Sequence, residues 1–273
     1  MRPWIEFIQS QRLPWQSHDP WGVRPGVEIK VLSHDDETGE ASLLVRYPVG
    51  FSSAPNAFNV DEEFLVLEGD LRAGAHMFGH LGYAHWPAGY RNAGISSPSG
   101  AILLTFLSGL PKRLLEGVEP RPDRLVERLD AYKVSYTGQF NPKFPVGAGR
   151  KKLFEDPISH DASWLLGTMP LRWSEAAEVH PTVEEMYLIS GETHGNRGVM
   201  RPGAYFWRPA GAPHGPYGTL TGNLYFFRTK GGPLSTDYVA PAQSFQWWPK
   251  YNPVIPEQLA AFRGETSPGP DCW

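Results

Sequence analysis

The chain has 273 residues and a formal net charge of −4, and its lysines and arginines are scattered along the sequence. This distribution excludes the basic patch that nucleic-acid binding requires. The lone cysteine, Cys272, excludes an internal disulfide and a cysteine-based zinc site. The sequence shows no signal-peptide h-region and no apolar run of about 18 residues, so we expect a cytoplasmic protein with no membrane contact.

Short runs typical of β-strands recur along the chain between turn residues, and glycine and proline are abundant. Such spacing predicts an all-β sandwich or barrel of antiparallel strands. In chain order the runs are Ala41–Tyr47, Glu63–Leu67, Ala101–Leu107, Met186–Ile189 and Leu224–Arg228.

Two segments differ from this pattern. Residues Glu119–Lys133 contain Pro122 and a helix-like spacing of apolar residues, which predicts a short amphipathic helix. A second short helix is predicted at Glu257–Phe262, after a proline. The aromatic segment Gln243–Pro256 is predicted to be an arm that packs on a domain or on a neighbouring subunit.

The chain also repeats itself with a shift of 122 residues. The shift places Glu62-Glu63 on Glu184-Glu185, and Pro87-Ala88-Gly89 on Pro209-Ala210-Gly211, without a gap. Two copies of one fold are therefore expected.

The two copies differ at the positions that carry chemistry. Asn56, Phe58 and Asn92 of the first copy stand where Glu178, His180 and His214 stand in the second. Glu178 and His180 are two residues apart, which places both on one face of a strand. Two imidazoles with one or two carboxylates are the donors of mononuclear Fe(II), Mn(II) and related centres, so only the second copy is predicted to bind a metal.

These segments resemble the two motifs of the cupin superfamily, one in HPTVEEMYLISG and the other in GAYFWRPAGAPH. The resemblance covers about residues 27–108 and 149–231, so the chain is similar to a bicupin, and closest to ChrR-type anti-sigma-factor cupins. It implies an all-β fold of two tandem cupin barrels (double-stranded β-helix, or jelly roll) with short connecting helices.

The resemblance also implies a division of the chain into four parts. Residues 1–115 form an N-terminal cupin without ligand histidines, and residues 116–148 form a connector with a short helix. Residues 149–235 form a C-terminal cupin with an intact metal site, followed by an aromatic arm at residues 236–273.

By the family pattern the metal ligands are Glu178, His180, Glu184 and His214. Glu178 replaces the first histidine of that pattern, so it is interpreted either as a fourth ligand or as a catalytic base. The extra carboxylate favours Fe(II) or Mn(II), with Zn(II) as a further option. Five side chains are predicted to line the substrate pocket: Trp173, Met186, Tyr205, Tyr225 and Phe227.

The leading functional hypothesis is a metal-dependent enzyme of the dioxygenase type that acts on a small organic molecule. The alternatives are a non-catalytic metal-binding or ligand-binding sensor or scaffold, and a Lewis-acid hydrolase or isomerase. The expected partner is a small-molecule substrate, and a homodimer is compatible with the aromatic arm.

Overall fold

The computed structural model describes residues 2–17, 20–115, 118–138, 147–264 and 273. The chain divides into two compact units. One comprises Met1–Arg2 and Leu13–Val134, and the other comprises Pro3–Arg12 and Ser135–Trp273. Cys272 and two parts of the predicted connector, residues 116–117 and 139–146, lie outside the described residues.

Strands account for nearly all of the regular secondary structure among the described residues, which confirms the predicted all-β fold. The first eleven strands are β1 (Ile5–Gln9), β2 (Glu28–His34), β3 (Ala41–Tyr47), β4 (Phe51–Ser52), β5 (Glu62–Gly69), β6 (Leu71–Ala73), β7 (His76–Phe78), β8 (Gly82–Trp86), β9 (Ile95–Ser97), β10 (Ala101–Leu107) and β11 (Val126–Asp130). The next eleven are β12 (Ala148–Glu155), β13 (Ala162–Thr168), β14 (Arg172–Trp173), β15 (Ala177–Val179), β16 (Val183–Gly191), β17 (Thr193–Gly195), β18 (Gly198–Met200), β19 (Ala204–Arg208), β20 (Tyr217–Thr219), β21 (Asn223–Lys230) and β22 (Asp237–Val239).

Each unit contains a large antiparallel sheet and a smaller one, and the two units repeat the same strand order. The large sheets run β11-β8-β5-β10-β3-β2 and β1-β19-β16-β21-β13-β12. The smaller sheets run β4-β9-β6-β7 and β14-β20-β17-β18. A two-stranded sheet, β15-β22, belongs to the second unit. The internal repeat of the sequence is therefore a repeat of topology.

One strand in each large sheet comes from the opposite sequence repeat. Strand β1 precedes the first copy along the chain, yet it pairs with β19, where Ile5 faces Trp207. Strand β11 precedes the second copy, yet it pairs with β8, where Val126 faces His85. Since His85 and Trp207 are equivalent under the 122-residue shift, β1 and β11 hold the same place in their sheets.

The connector differs from its sequence-based prediction, because the expected helix is strand β11 flanked by short 3-10 turns at Pro122–Arg124 and Ala131–Lys133. The strand is irregular between Val126 and Leu129. This bulge brings residues three apart into pairing with the neighbouring strand, so their spacing resembled a helical period. Pairing with β8 outweighs the local helix preference.

Two further 3-10 helices are present, at Ser10–Arg12 and at Glu257–Phe262, and the second confirms the short helix predicted there. The aromatic arm packs on the second unit. Tyr251 donates a hydrogen bond to the carbonyl of Phe7 at 3.0 Å, and the two rings meet edge to face. No helix among the described residues is long and apolar enough to cross a membrane.

The core of each unit lies between its sheets. In the first unit it includes a dense aromatic group in which Phe64 contacts both Phe78 and Trp86 edge to face. In the second unit the core includes Trp164 and Phe227, whose rings are stacked with centroids 5.8 Å apart. Part of this second core faces an internal cavity, which leaves room for a ligand there.

Candidate metal centre

Glu178 and His214 are brought side by side by paired backbone hydrogen bonds. Glu178 lies in β15 and His214 follows β19, and their amides and carbonyls bond reciprocally at 2.8 and 3.0 Å. His180 is two residues beyond Glu178, and its ring centroid lies 4.9 Å from that of His214. One donor atom from each of the three residues lies within 4.8 Å of the others. The structure thus brings together three of the four predicted ligands as one group.

Both imidazoles are held through Nδ1. The Nδ1 atom of His180 lies 2.8 Å from the carbonyl oxygen of Ser235, and that of His214 lies 3.0 Å from the carbonyl oxygen of Ala212. A carbonyl can only accept, so each Nδ1 carries a proton, and Nε2 is the atom of each ring that a metal could bind. Burial, helped by the charge of Arg208, lowers the pKa of His214 to about 3. The ring is therefore neutral near pH 7, which is the form that binds a metal.

Glu184, the fourth predicted ligand, lies between the imidazoles and a buried arginine. Its Oε1 is 3.7 Å from Nε2 of His180, and its Oε2 is 3.5 Å from Nε2 of His214. The same Oε2 accepts a hydrogen bond from Nη1 of Arg208. The Nε and Nη2 atoms of Arg208 donate to Glu6 at 2.7 and 2.5 Å. Burial, the largest influence, would raise the pKa of Glu184, but the charges of Arg208, His214 and His180 together outweigh it and hold that pKa below its usual range. Glu184 is thus an ionised carboxylate that keeps Oε1 towards His180.

Glu178 behaves differently from Glu184. Burial, followed by the nearby charge of Glu184, raises the pKa of Glu178 to about 7, although three arginines partly offset this. Its Oε2 lies 3.7 Å from Nε2 of His180. The two carboxyl groups therefore differ in protonation near neutral pH, which is the arrangement that separates an acid–base group from a fixed anion.

The centre opens into a cavity of about 260 Å³ in the second unit. Its walls are mostly apolar, and they also carry charged groups beyond the centre, Arg150 and Arg172. Apolar residues that line it include Trp164, Leu166, Met186, Met200, Phe206, Tyr225, Phe227 and Leu234. A small organic ligand could enter this space and reach the imidazoles.

Three of the five predicted pocket residues line this cavity, namely Met186, Tyr225 and Phe227. The structure places Trp173 elsewhere, 49% exposed. Tyr205 is fully buried on the opposite side of β19, where its hydroxyl donates to Glu185 at 2.5 Å. Successive residues of a strand point to opposite faces, and Phe206 takes the cavity side.

Sequence reasoning missed four charged residues around the centre: Glu6, Arg150, Arg172 and Arg208. Arg208 could have been found by comparing the two copies, because it stands where the first copy has Trp86, directly before the repeated Pro-Ala-Gly. No sequence pattern pointed to Glu6, since it is 202 residues away from the arginine it binds.

The equivalent position in the first unit is closed by its own side chains. Asn56 and Asn92 form the same backbone bridge, and Nδ2 of Asn92 donates to Oδ1 of Asn56 at 2.7 Å. Phe58 stands in the place of His180, and the guanidinium of Arg24 lies 5.5 Å from the ring centroid of Phe58. Arg24 also donates to both oxygens of Glu62, at 2.7 and 2.9 Å. Amides and a phenyl ring are not the donors that such metals select.

Comparison with solved structures confirms the cupin type of fold. A candidate dioxygenase from Nostoc punctiforme matches with a TM-score of 0.78 and 21% identity, covering 87% of each chain. The oxalate decarboxylase of Bacillus subtilis, as its E162A mutant, matches with a TM-score of 0.59 and 13% identity, covering 86% of this chain and 79% of its own. At these identities the likeness establishes the fold alone.

A third structure, the formate complex of the oxalate decarboxylase from Lactobacillus farciminis, matches with a TM-score of 0.59 and 13% identity. It covers 86% of this chain and 88% of its own. No curated protein matches the chain. The expected closeness to ChrR-type cupins stays a prediction.

The family comparison covers most of the chain. The model of a domain of unknown function, DUF4437, matches residues 6–235, which include both copies and all four predicted ligands. The chain therefore belongs to the DUF4437 family.

Proposed function

We propose that the second unit is a metal-dependent oxidoreductase of the dioxygenase type that acts on a small organic molecule. The observation that carries the proposal is the geometry of the two imidazoles. His180 and His214 are both fixed through Nδ1 by backbone carbonyls, and both direct Nε2 to one point beside two carboxylates. That point lies in the wall of a mostly apolar cavity.

The residues fit a divalent metal ion by donor type and by spacing. Glu178, His180 and His214 would hold it, and Glu184 would add Oε1 while Arg208 keeps Oε2. Donor separations of 3.5–3.7 Å are close to those of ligands that share one ion at about 2.0–2.2 Å. Two histidines with oxygen donors suit Fe(II) and Mn(II) well, and Zn(II) is tolerated.

Once bound, such an ion supplies redox and Lewis-acid chemistry to a substrate that reaches its open positions. The chain supplies the surroundings. The apolar walls exclude water from the substrate. Arg208 helps to keep Glu184 ionised and in place. As a ligand Glu178 would stay ionised, and outside the ligand set it would instead accept or release a proton at its carboxyl oxygen.

The comparisons support a metal-dependent reaction at the coarse level. One structural neighbour is a candidate dioxygenase, and another, the oxalate decarboxylase of Bacillus subtilis, has Mn(II) centres. The same fold thus carries metal centres elsewhere. The choice of an oxygen-dependent reaction for this chain rests on the donor set and on the mostly apolar lining of the cavity.

The proposal is tested by elemental analysis of tag-free protein purified without chelator, beside His180→Ala. Asn92→Ala is the matched control, because Asn92 holds the position of a ligand histidine in the first copy. We expect about one equivalent of Fe or Mn in the wild type and in the control, and almost none in His180→Ala.

Oxygen-uptake measurements with small diketones and catechols then test the reaction class. Oxygen consumption that depends on His180 is the expected result. Zinc at the same stoichiometry, without oxygen consumption, would replace the proposal by a hydrolase, an isomerase or a sensor. Absence of metal under every loading condition would leave a scaffold and end the enzymatic interpretation.

A further inference from the structure

Two arginines of the cavity are not part of the metal centre. Arg172, in β14, is 8% exposed, and its Nη1 and Nη2 atoms are buried. Arg150, in β12, is exposed, which marks the side where the cavity meets solvent. Its guanidinium lies 5.0 Å from the ring centroid of Trp164. Among the described residues none accepts a hydrogen bond from that guanidinium, so its N–H edge is available to a ligand.

The charges around these arginines favour an anion. Arg208 is hydrogen bonded to two carboxylates, those of Glu6 and Glu184. Glu178 is the remaining lining carboxylate, so the cavity wall carries three arginines and two carboxylates. A divalent ion at the proposed centre adds two further positive charges. With that ion bound, the cavity would have an excess of positive charge that a negative ligand would offset.

Burial of Arg172 is costly for the protein alone. Burial lowers the pKa of Arg172 below its usual range, and its interactions with Tyr225, Glu178 and Tyr238 offset only part of that effect. A buried cation is stabilised when an anion approaches it, since the attraction is stronger in a water-poor cavity. Arg172 is thus placed where a bound anion would be held most strongly.

The first copy lacks both arginines. Under the 122-residue shift Glu28 stands in the place of Arg150, and Gly50 in the place of Arg172. Glu28 itself pairs with Arg46 at 2.5 Å. The two positive side chains therefore accompany the imidazoles and are not a requirement of the fold.

The remaining walls describe the rest of the ligand. The stacked rings of Trp164 and Phe227 lie at 14° to each other and provide a flat apolar surface next to Arg150. Met186, Met200 and Phe206 continue it. At about 260 Å³ the cavity is slightly below the usual range of roughly 300–1,000 Å³ for ligand sites, so the ligand is small.

From these features we infer that the substrate is a small carboxylate with a flat apolar body, bound with its carboxylate at Arg150 and Arg172 and its body against Trp164 and Phe227. This rests on the proposed function, because the substrate is placed in the cavity of the metal centre. A guanidinium group matches a planar carboxylate with two parallel hydrogen bonds, which a neutral amide of the same shape cannot accept.

The test compares acids with amides of the same shape on Mn(II)-loaded protein by isothermal titration calorimetry. The pairs are benzoate and benzamide, phenylacetate and phenylacetamide, and cinnamate and cinnamamide. We expect at least one acid to bind about tenfold or more tightly than its amide. Arg150→Gln and Arg172→Gln should each lower the affinity for the acid about tenfold and leave the affinity for the amide unchanged.

Lys152→Gln is the matched control, because Lys152 is a cation on the same strand whose side chain is 67% exposed and pairs with Glu155. It should keep the wild-type preference. Should Arg172→Gln fail to fold, Arg150→Gln decides the question, because Arg150 is exposed. Equal binding of acids and amides, no acid binding at all, or an unchanged preference in Arg150→Gln would overturn the inference.

Metal analysis of the same samples separates the two proposals. Bound metal without a preference for acids overturns the substrate class and leaves the metal centre standing. A preference for acids that depends on Arg150, in protein that takes up no metal, supports the substrate class and overturns the proposed metal enzyme.

Discussion

The two units differ in how the equivalent glutamates, Glu62 and Glu184, are hydrogen bonded. In the first, Arg24 takes both oxygens of Glu62, and an amide pair and a phenyl ring occupy the rest of the position. In the second, Arg208 takes one oxygen of Glu184 and leaves the other beside His180. A buried arginine–glutamate pair is thus common to both copies. What differs is whether the arginine leaves a carboxylate oxygen to a metal.

The largest effect that would test this comparison is the loss of either arginine. Arg24→Met and Arg208→Met should each destabilise the metal-free protein by about 3–5 kcal/mol, because a buried carboxylate loses its partner. Excess Mn(II) should restore part of the stability of Arg208→Met, since the ion places positive charge beside Glu184. It should restore none in Arg24→Met. Urea denaturation with and without Mn(II) measures both, and an equal response of the two variants would contradict the comparison.

The next effect concerns Glu178, whose counterpart Asn56 cannot titrate. Because its folded pKa of about 7 lies above the unfolded value of 4.5, the folded metal-free protein binds a proton more tightly than the unfolded chain. The stability from this group is present below about pH 4.5 and is lost as the pH rises through about 7, by about 3 kcal/mol.

Glu178→Gln should remove that loss. As the pH is raised from about 5 to about 8, we expect the free energy of unfolding of the variant to increase relative to that of the wild type. Chemical denaturation in the presence of chelator measures this difference. Parallel stability curves for the two proteins would show that Glu178 is ionised throughout.

A third effect is stabilisation by metal. At a metal concentration of about 100 times Kd, the second unit should gain about 2.7 kcal/mol, seen as a rise in Tm. His214→Ala should lose this rise, because it removes one of the two imidazoles. Asn92→Ala, at the equivalent position of the first copy, should keep it. A metal-dependent rise that persists in His214→Ala would place the ion elsewhere.

The smallest effect belongs to the first copy. Asn92→Ala removes the hydrogen bond to Asn56 and should cost about 1 kcal/mol of stability. Metal content should not change. A loss of metal in this variant would show that the first copy also contributes to metal binding.

The repeat made the fold and the three-residue group predictable, because equivalent positions could be compared within one chain. The glycine and proline framework agrees in both copies. The change from Asn56, Phe58 and Asn92 to possible metal ligands in the second copy could therefore be recognised as a functional difference. Local patterns failed where tertiary pairing decides. Val126 and Leu129 had a helical spacing, and a bulged edge strand explains it.

The arginines of the cavity could not be derived from local patterns either. Arg150 and Arg172 lie on different strands, and neither belongs to a motif. Their importance depends on which face of each strand looks into the cavity, and near bulges and strand ends the alternation of faces is not fixed by sequence. Tyr205 shows the same limit, since it was expected in the pocket and lies on the other face of β19.

The strand that carries Glu6 has a consequence for synthesis of the protein. Glu6 and Arg208 are 202 residues apart in the chain. At roughly 5–20 residues per second, Glu6 leaves the ribosome about 10–40 s before its partner does. Until then β1 is an unpaired strand with apolar side chains, the kind of segment that chaperones bind and that aggregates when it stays exposed. A fragment of residues 135–273 made alone would lack both this strand and the carboxylate of Glu6 that Arg208 binds, so the second unit is complete only when residues 3–12 are also present.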